Sequence, residues 1–255
     1  MRSLSYRLGF ALVVGSVATL AAQGGGGGPG KFPPDSFTNL KVLPKNIDQR
    51  TLLATMRGFT MALGVRCNYC HVGEEGAPLS TYNFASDDKR TKRTARVMMH
   101  MVHHINEEHL QEVPERPQPV VEVRCETCHR GLSRPRLIQD VLDDAFAAGG
   151  VDSVTRAYRA LRDRYYGTGS YDFSERVLNE MARGLQQKQQ TDPAIALLKL
   201  NAEFYPNSAM VYVGMGEALR QKGDTAGALA QYRHALAIDS TFGPARQRLG
   251  ELTHH

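Results

Sequence analysis

The sequence predicts an all-α protein. No long stretch alternates between apolar and polar residues with a period of two, whereas apolar residues recur at helical spacing along most of the chain. A 34-residue period near the C-terminus adds the signature of a short helical array. A helical domain followed by helical repeats is therefore the expected architecture.

Two short runs carry the chemistry, 67–71 (CNYCH) and 125–129 (CETCH). Both read C-x-x-C-H, the attachment signature of c-type haem. Two thiols at this spacing reach the two vinyl groups of one porphyrin, and the histidine that follows supplies the proximal iron ligand. The sequence predicts two covalently attached haem c groups, with thioethers from Cys67, Cys70, Cys125 and Cys128 and proximal ligands from His71 and His129.

Two other interpretations use the same cysteines. Two C-x-x-C pairs could form a four-cysteine zinc site or two redox dithiols of thioredoxin type. Neither alternative requires a histidine directly after both pairs, and zinc ribbons usually hold their pairs much closer in sequence. Haem is therefore favoured, with zinc as the main competitor.

The N-terminus predicts export. Residues 1–22 contain Arg2 and Arg7, then an apolar run, then a small-residue cleavage site, as in a secretory signal peptide. An uncleaved signal acting as a membrane tether is the alternative. The expected location is periplasmic or extracellular, with membrane association as the outcome if the signal is retained.

The predicted organisation continues with a flexible Gly/Pro linker at 23–37, a dihaem cytochrome c domain at 38–137, connecting helices at 138–173 and repeats at 174–255. Loss of the signal lowers the formal net charge from +5 to +3, because Arg2 and Arg7 leave with it. Four haem propionates would bring the balance near zero or below. The basic composition therefore does not predict nucleic-acid binding.

The first helix of the haem domain is predicted at 48–63 and ends at Gly64. A helical projection places Met56 on the apolar face, while Met61 falls on another face. A short turn after such a helix could bring the Met56 sulfur over the haem held by His71. Methionine is equally common as a core filler, so the spacing leaves both roles open.

A second helix is predicted at 95–113, after a basic run at 89–96. Its apolar stripe contains Met98 and Met101. His100 and His104 lie one turn apart on another face and are expected to be solvated, although such a pair can bind a metal. One of these two, His103 or His109 is an alternative to Met98 or Met101 as sixth ligand of the second haem. The basic run is expected to be a solvated helix start, with pairing to haem propionates or a partner as alternatives. Residues 112–123 are predicted to form a proline-rich loop.

The runs 56–71 (MRGFTMALGVRCNYCH), 95–99 (ARVMM) and 125–131 (CETCHRG) together resemble the tetrahaem cytochrome c subunit of bacterial photosynthetic reaction centres. The likeness covers 38–137 and corresponds to one half of that internally duplicated subunit. It implies that Met56 and Met98 are the sixth iron ligands of the first and second haems. Glu112 stands where the family has a histidine ligand for a haem of the missing half.

The 34-residue period predicts two repeats that resemble tetratricopeptide repeats, at 174–207 and 208–241, with a final capping helix. Helices are also expected before and after Gly149-Gly150. A short array cannot bury its faces alone, so its first helices are expected to pack on the haem domain. The array is expected to dock a partner, to mediate self-assembly or simply to cap the fold.

Together these features predict an exported electron carrier whose partners are redox proteins, either free or in a membrane complex. Two six-coordinate haems leave no open site, so no catalytic residue and no small-molecule substrate are expected. A dihaem peroxidase, which needs an open iron site, and a haem-based redox sensor or scaffold are the alternatives.

Overall fold

The computed structural model describes residues 31–116 and 118–253, and the predicted signal peptide lies outside them. Every regular element in these residues is helical, which confirms the all-α class. The helices are α1 (Gln49–Leu63), α2 (Arg90–Glu107), α3 (Cys125–His129), α4 (Ile138–Tyr165), α5 (Glu175–Gln187), α6 (Thr191–Phe204), α7 (Ala209–Gln221), α8 (Thr225–Ile238) and α9 (Gly243–Thr253). Short 3-10 turns lie at Cys67–Tyr69, Leu79–Thr81 and His109–Glu112.

Helix α1 has the predicted length because both of its ends are capped. The Asp48 carboxylate accepts a hydrogen bond from the Thr51 amide at 2.9 Å. Gly64 ends the helix in the left-handed region, with φ of 64°. The chain then turns directly into the first haem motif.

Helix α2 differs from its prediction at both ends. It starts at Arg90 rather than Ala95 and ends at Glu107 rather than Val113. Lysine and arginine are good helix formers, so the basic run extends the helix instead of preceding it. Near the other end, the Asn106 side chain bonds both backbone polar groups of Val123, at 2.8 Å each. This pair holds the proline-rich loop against the helix.

Helix α4 contains the predicted interruption. Gly149 and Gly150 are non-helical inside it, and Gly150 has a φ of 62°. Val154 and Tyr158, after the kink, are fully buried. They belong to the largest core, in which α4 packs with α5, α6 and part of α7. The first helices of the array thus pack on α4. We expected them to pack on the haem domain at 38–137, which ends before α4.

Helices α5 to α9 have the predicted 34-residue period. The helices α5, α7 and α9 begin at 175, 209 and 243, and α6 and α8 begin at 191 and 225. Consecutive helices contact one another along the array. Ala228, Tyr232 and Ala235, which the repeat pattern places inside, are fully buried. The structure therefore has a TPR-like array of two helical hairpins and a terminal helix.

Gly216 of α7 provides a test of the hairpin packing. A Cβ at this position would overlap the buried ring of Tyr232. We expect Gly216→Ala to lower the free energy of unfolding by about 1–3 kcal/mol through overpacking. Gly184→Ala on α5 is the control, since its Cβ would meet nothing within 4 Å, and it should be neutral or stabilising by up to about 1 kcal/mol. Urea denaturation of both variants measures the difference, and equal effects would contradict the packing.

Candidate haem sites

The first motif forms a tight turn directly after α1. The amides of Cys70 and His71 both bond the Cys67 carbonyl, at 3.2 and 2.9 Å. The Thr91 hydroxyl of α2 donates to the Tyr69 carbonyl. Helix α2 is thereby docked onto the turn, and burial raises the pKa of the Cys70 thiol.

The His71 imidazole is half-buried and neutral at physiological pH. Burial, assisted by the positive charge of Lys92, lowers its pKa to about 4. The ring of Phe84 meets it edge-on with centroids 4.9 Å apart, and its Nδ1 is buried without a hydrogen-bond partner. A neutral imidazole is the form that binds a metal.

The second motif forms helix α3. The Thr127 hydroxyl accepts from the Arg124 amide at 3.0 Å and caps the helix start. His129 Nδ1 lies 2.7 Å from the Leu132 carbonyl oxygen. Since a carbonyl only accepts, Nδ1 is the donor in this bond, and Nε2 is the ring nitrogen that would face a metal. Metal-binding histidines usually have this arrangement.

The two motifs meet through backbone contacts at the end of α1. The Gly131 amide donates to the Ala62 carbonyl at 2.8 Å. A Cβ on Gly64 would overlap the Gly131 carbonyl oxygen. Only glycine fits at position 64, because the backbone there is also left-handed. The turn before the first motif and the turn after the second therefore contact each other directly through their backbones.

The methionines of α1 differ in exposure as the helical projection suggested, whereas Met101 of α2 is more exposed than its predicted place on the apolar stripe implies. Met56 is half-buried on the face of α1 that contains Leu52, whereas Met61 is 77% exposed. On α2, Met98 is half-buried and Met101 is 44% exposed. These positions are compatible with Met56 and Met98 as iron ligands, and the ligation itself stays a prediction.

The other histidines and Glu112 lie at the surface. His100, His103, His104 and His109 are exposed, as is Glu112. His104 pairs with Glu108 at 2.6 Å. No group of three His, Cys, Asp or Glu side chains in the described residues is arranged to hold a metal ion. The four cysteines therefore do not converge into one zinc site, and all four are free thiols in this structure.

The basic run of α2 has an internal counter-charge that the sequence analysis missed. Asp87 binds Arg96 at 2.9 Å, Lys92 at 3.3 Å and Lys41 at 2.6 Å. The Asn39 amide donates to the same carboxylate at 2.8 Å. These partners, Arg96 above all, hold the pKa of Asp87 far below its usual range. Part of the run thus anchors the segment before α2, and is not a solvated helix start.

The residues present fit covalently bound haem. All 18 residues of α2 are described and none is fully buried, although Met98, Met99, Val102 and Ile105 form an apolar stripe. The flat, apolar ring of a haem would fit this partly exposed surface next to the two thiols and the imidazole of a haem motif. The half-buried His71 presents the neutral form that an iron ligand requires, and the His129 ring is oriented by its bond to the Leu132 carbonyl.

Comparison with known proteins agrees with this chemistry. The family model described as "Photosynthetic reaction centre cytochrome C subunit" matches residues 26–160, just over half of the chain. The chain belongs to this family. Membership in the reaction-centre cytochrome c family implies covalently bound haem, electron transfer, redox partners in a membrane complex and a periplasmic, membrane-associated location.

For this reaction-centre-type cytochrome, two further comparisons concern curated proteins and solved structures. No curated protein matches the chain. Among solved structures, the first TPR of Spaghetti (RPAP3) bound to HSP90 peptide SRMEEVD matches with 14% identity and a TM-score of 0.32, over 46% of this chain and 88% of that one. No helix in the described residues is long and apolar enough to cross a membrane.

The Asp87 cluster predicts a pH-dependent stability difference. A group whose pKa is lowered on folding stabilises the fold above its unfolded pKa, about 3.9 for aspartate, and loses this effect as the pH falls further. We expect Asp87→Asn to lower the urea midpoint at pH 7, since Lys92 and Arg96 lose their partner. The difference in urea midpoint between Asp87→Asn and the native protein should become smaller below about pH 4.

The neighbouring substitution Asp88→Asn is the matched control. Asp88 is exposed, and its carboxylate forms no ion pair with any residue that the structure describes. The urea midpoint of Asp88→Asn should equal that of the native protein both at pH 7 and below about pH 4. A gap for Asp87→Asn that stayed constant down to pH 3 would show that the charge of Asp87 is not what stabilises the fold.

Proposed function

We propose that the chain is an exported dihaem cytochrome c that carries electrons between protein partners. Haem supplies reversible one-electron transfer at iron. Cys67 and Cys70 would hold the first haem, with His71 below its iron and Met56 above. Cys125 and Cys128 would hold the second, with His129 and Met98 on iron. The observation that carries the proposal is that each two-thiol turn ends in a positioned imidazole. His71 is half-buried against Phe84, and His129 Nδ1 bonds the Leu132 carbonyl.

The protein residues contribute ligand geometry and tuning. The Leu132 carbonyl fixes the tautomer of His129 and makes its imidazole a stronger donor. Burial keeps His71 unprotonated. A methionine sulfur is a soft ligand, and it favours the reduced iron and raises the potential. Two haems held by His71 with Met56 and by His129 with Met98 would suit electron transfer and would leave no open iron for a small-molecule substrate.

The N-terminal residues and the array complete the proposal. A signal peptide at 1–22 would export the chain to the periplasm or cell surface, where haem attachment to such motifs takes place. The linker at 23–37 would leave the cytochrome domain free to approach its partners. The TPR-like array at 174–255 would dock a redox partner or a second copy, since stacked helical hairpins form extended binding surfaces.

The ligand assignment can be tested with the matured protein. Mass spectrometry should find two covalent haems. Low-temperature EPR should find two low-spin His/Met sites. Met56→His and Met98→His should each remove one methionine–iron signature and lower the potential of one haem, because imidazole stabilises ferric iron better than a thioether does.

Exposed methionines on the same helices are the controls. Met61→His on α1 and Met101→His on α2 should leave both spectra and both potentials unchanged. A high-spin iron that binds added ligands would refute the carrier and favour a peroxidase-type enzyme. The absence of covalent haem would refute the cytochrome assignment of the motifs.

A further inference from the structure

We infer that Ser170 is a positioning residue for the second haem site, acting through the loop that orients the His129 imidazole. The inference rests on the proposed haem at His129 and assigns a role to a residue beyond the family match, which ends at 160. Ser170 lies in the segment between α4 and α5. It is 4% exposed, which is unusual for a serine in a connecting segment.

The Ser170 hydroxyl bonds the residue that follows the proximal histidine. Its Oγ donates to the Arg130 carbonyl at 2.6 Å. Arg130 itself is left-handed, with a φ of 46°, a conformation that costs free energy in a residue other than glycine. A hydrogen bond from a buried hydroxyl stabilises the carbonyl in that conformation.

The same short loop holds the carbonyl that fixes the imidazole. Two residues after Arg130, the Leu132 carbonyl accepts from His129 Nδ1 at 2.7 Å, and the Leu132 amide donates to the His129 carbonyl at 2.8 Å. Between them, Gly131 is held by the Ala62 carbonyl on one side. Ser170 Oγ would lie 3.4 Å from a Cβ on Gly131, so it contacts the loop from the other side.

Ser170 is itself held by a neighbour in its own segment. The Thr168 hydroxyl lies 2.9 Å from Ser170 Oγ and 3.3 Å from its amide. Further along the segment, the Phe173 carbonyl accepts from the Tyr205 hydroxyl, at the end of α6, and from Arg162 at 3.4 Å. The segment 166–173 thus runs from an anchor on the repeats to a contact on the haem loop.

Loss of the Ser170 hydroxyl has a defined electronic consequence. When the loop relaxes, the bond from His129 Nδ1 to the Leu132 carbonyl weakens, and the imidazole becomes a poorer donor to iron. Ferric iron is then less stabilised, so the potential of that haem rises. The Ser170 hydroxyl bonds Arg130 and no described residue of the first motif, so the haem proposed at His71 serves as an internal reference.

The experiment compares three variants of the full-length protein matured with haem. Ser170→Ala removes the hydroxyl that contacts the loop. Thr168→Ala weakens the support of Ser170 but leaves that hydroxyl in place, so it tests the same chain of contacts with less risk to folding. Ser208→Ala is the matched control, because Ser208 is also a buried serine but caps α7 in the repeats. A Cys125→Ser/Cys128→Ser protein identifies the potential that belongs to the first haem.

We expect Ser170→Ala, and to a smaller extent Thr168→Ala, to raise the potential and shift the EPR g-values of the second haem alone. Ser208→Ala should lower the thermal midpoint and move neither potential. Two intact haems with unchanged potentials in both Ser170→Ala and Thr168→Ala would overturn the positioning role and leave the dihaem cytochrome in place. An equal shift of both haems would also overturn it. A native protein without haem at 125–129 would overturn both proposals.

Discussion

The close approach of two backbones at Gly64 and Gly131 is the constraint on which the haem half depends. A Cβ at position 64 would overlap the carbonyl oxygen of Gly131, and the backbone of Gly64 is left-handed. The amide of Gly131 bonds the last turn of α1 at the same point. Because one motif follows Gly64 and the other precedes Gly131, a single contact sets the relative position of two sites that are distant in sequence.

The two halves of the protein are stabilised in different ways. From α4 onward, a continuous apolar core includes Leu142, Val154, Tyr158 and the inner faces of α5 and α6. In residues 38–137 the fully buried apolar side chains among those described are Leu52, Ala62 and Leu132. Polar anchors are prominent there, such as the carboxylate of Asp87 and the amide of Asn106. Such a domain suits a large prosthetic group that supplies much of the apolar interior.

Local and periodic features were predictable from the sequence, while long-range polar contacts were not. The caps of α1 follow from Asp48 and Gly64, and the 34-residue spacing of helix starts follows from small and aromatic residues. The pairing of Lys92 and Arg96 with Asp87 was not predictable, because the sequence does not distinguish Asp87 from the other carboxylates. Ser170 bonds a carbonyl 40 residues away, and no local pattern indicates that pairing.

The path of α4 shows that the limit of the family likeness is not a physical boundary. The match ends at 160, inside this helix. Tyr158, just before that point, packs against Phe173 and Phe204 with ring centroids 5.8 and 5.5 Å apart. A protein fragment that ended at residue 160 would lack Phe173 and Phe204. Tyr158 and the aromatic surface around it would then be exposed to water. The region of the family match and the repeats therefore depend on the same helix α4 for their packing, so neither is physically complete without it.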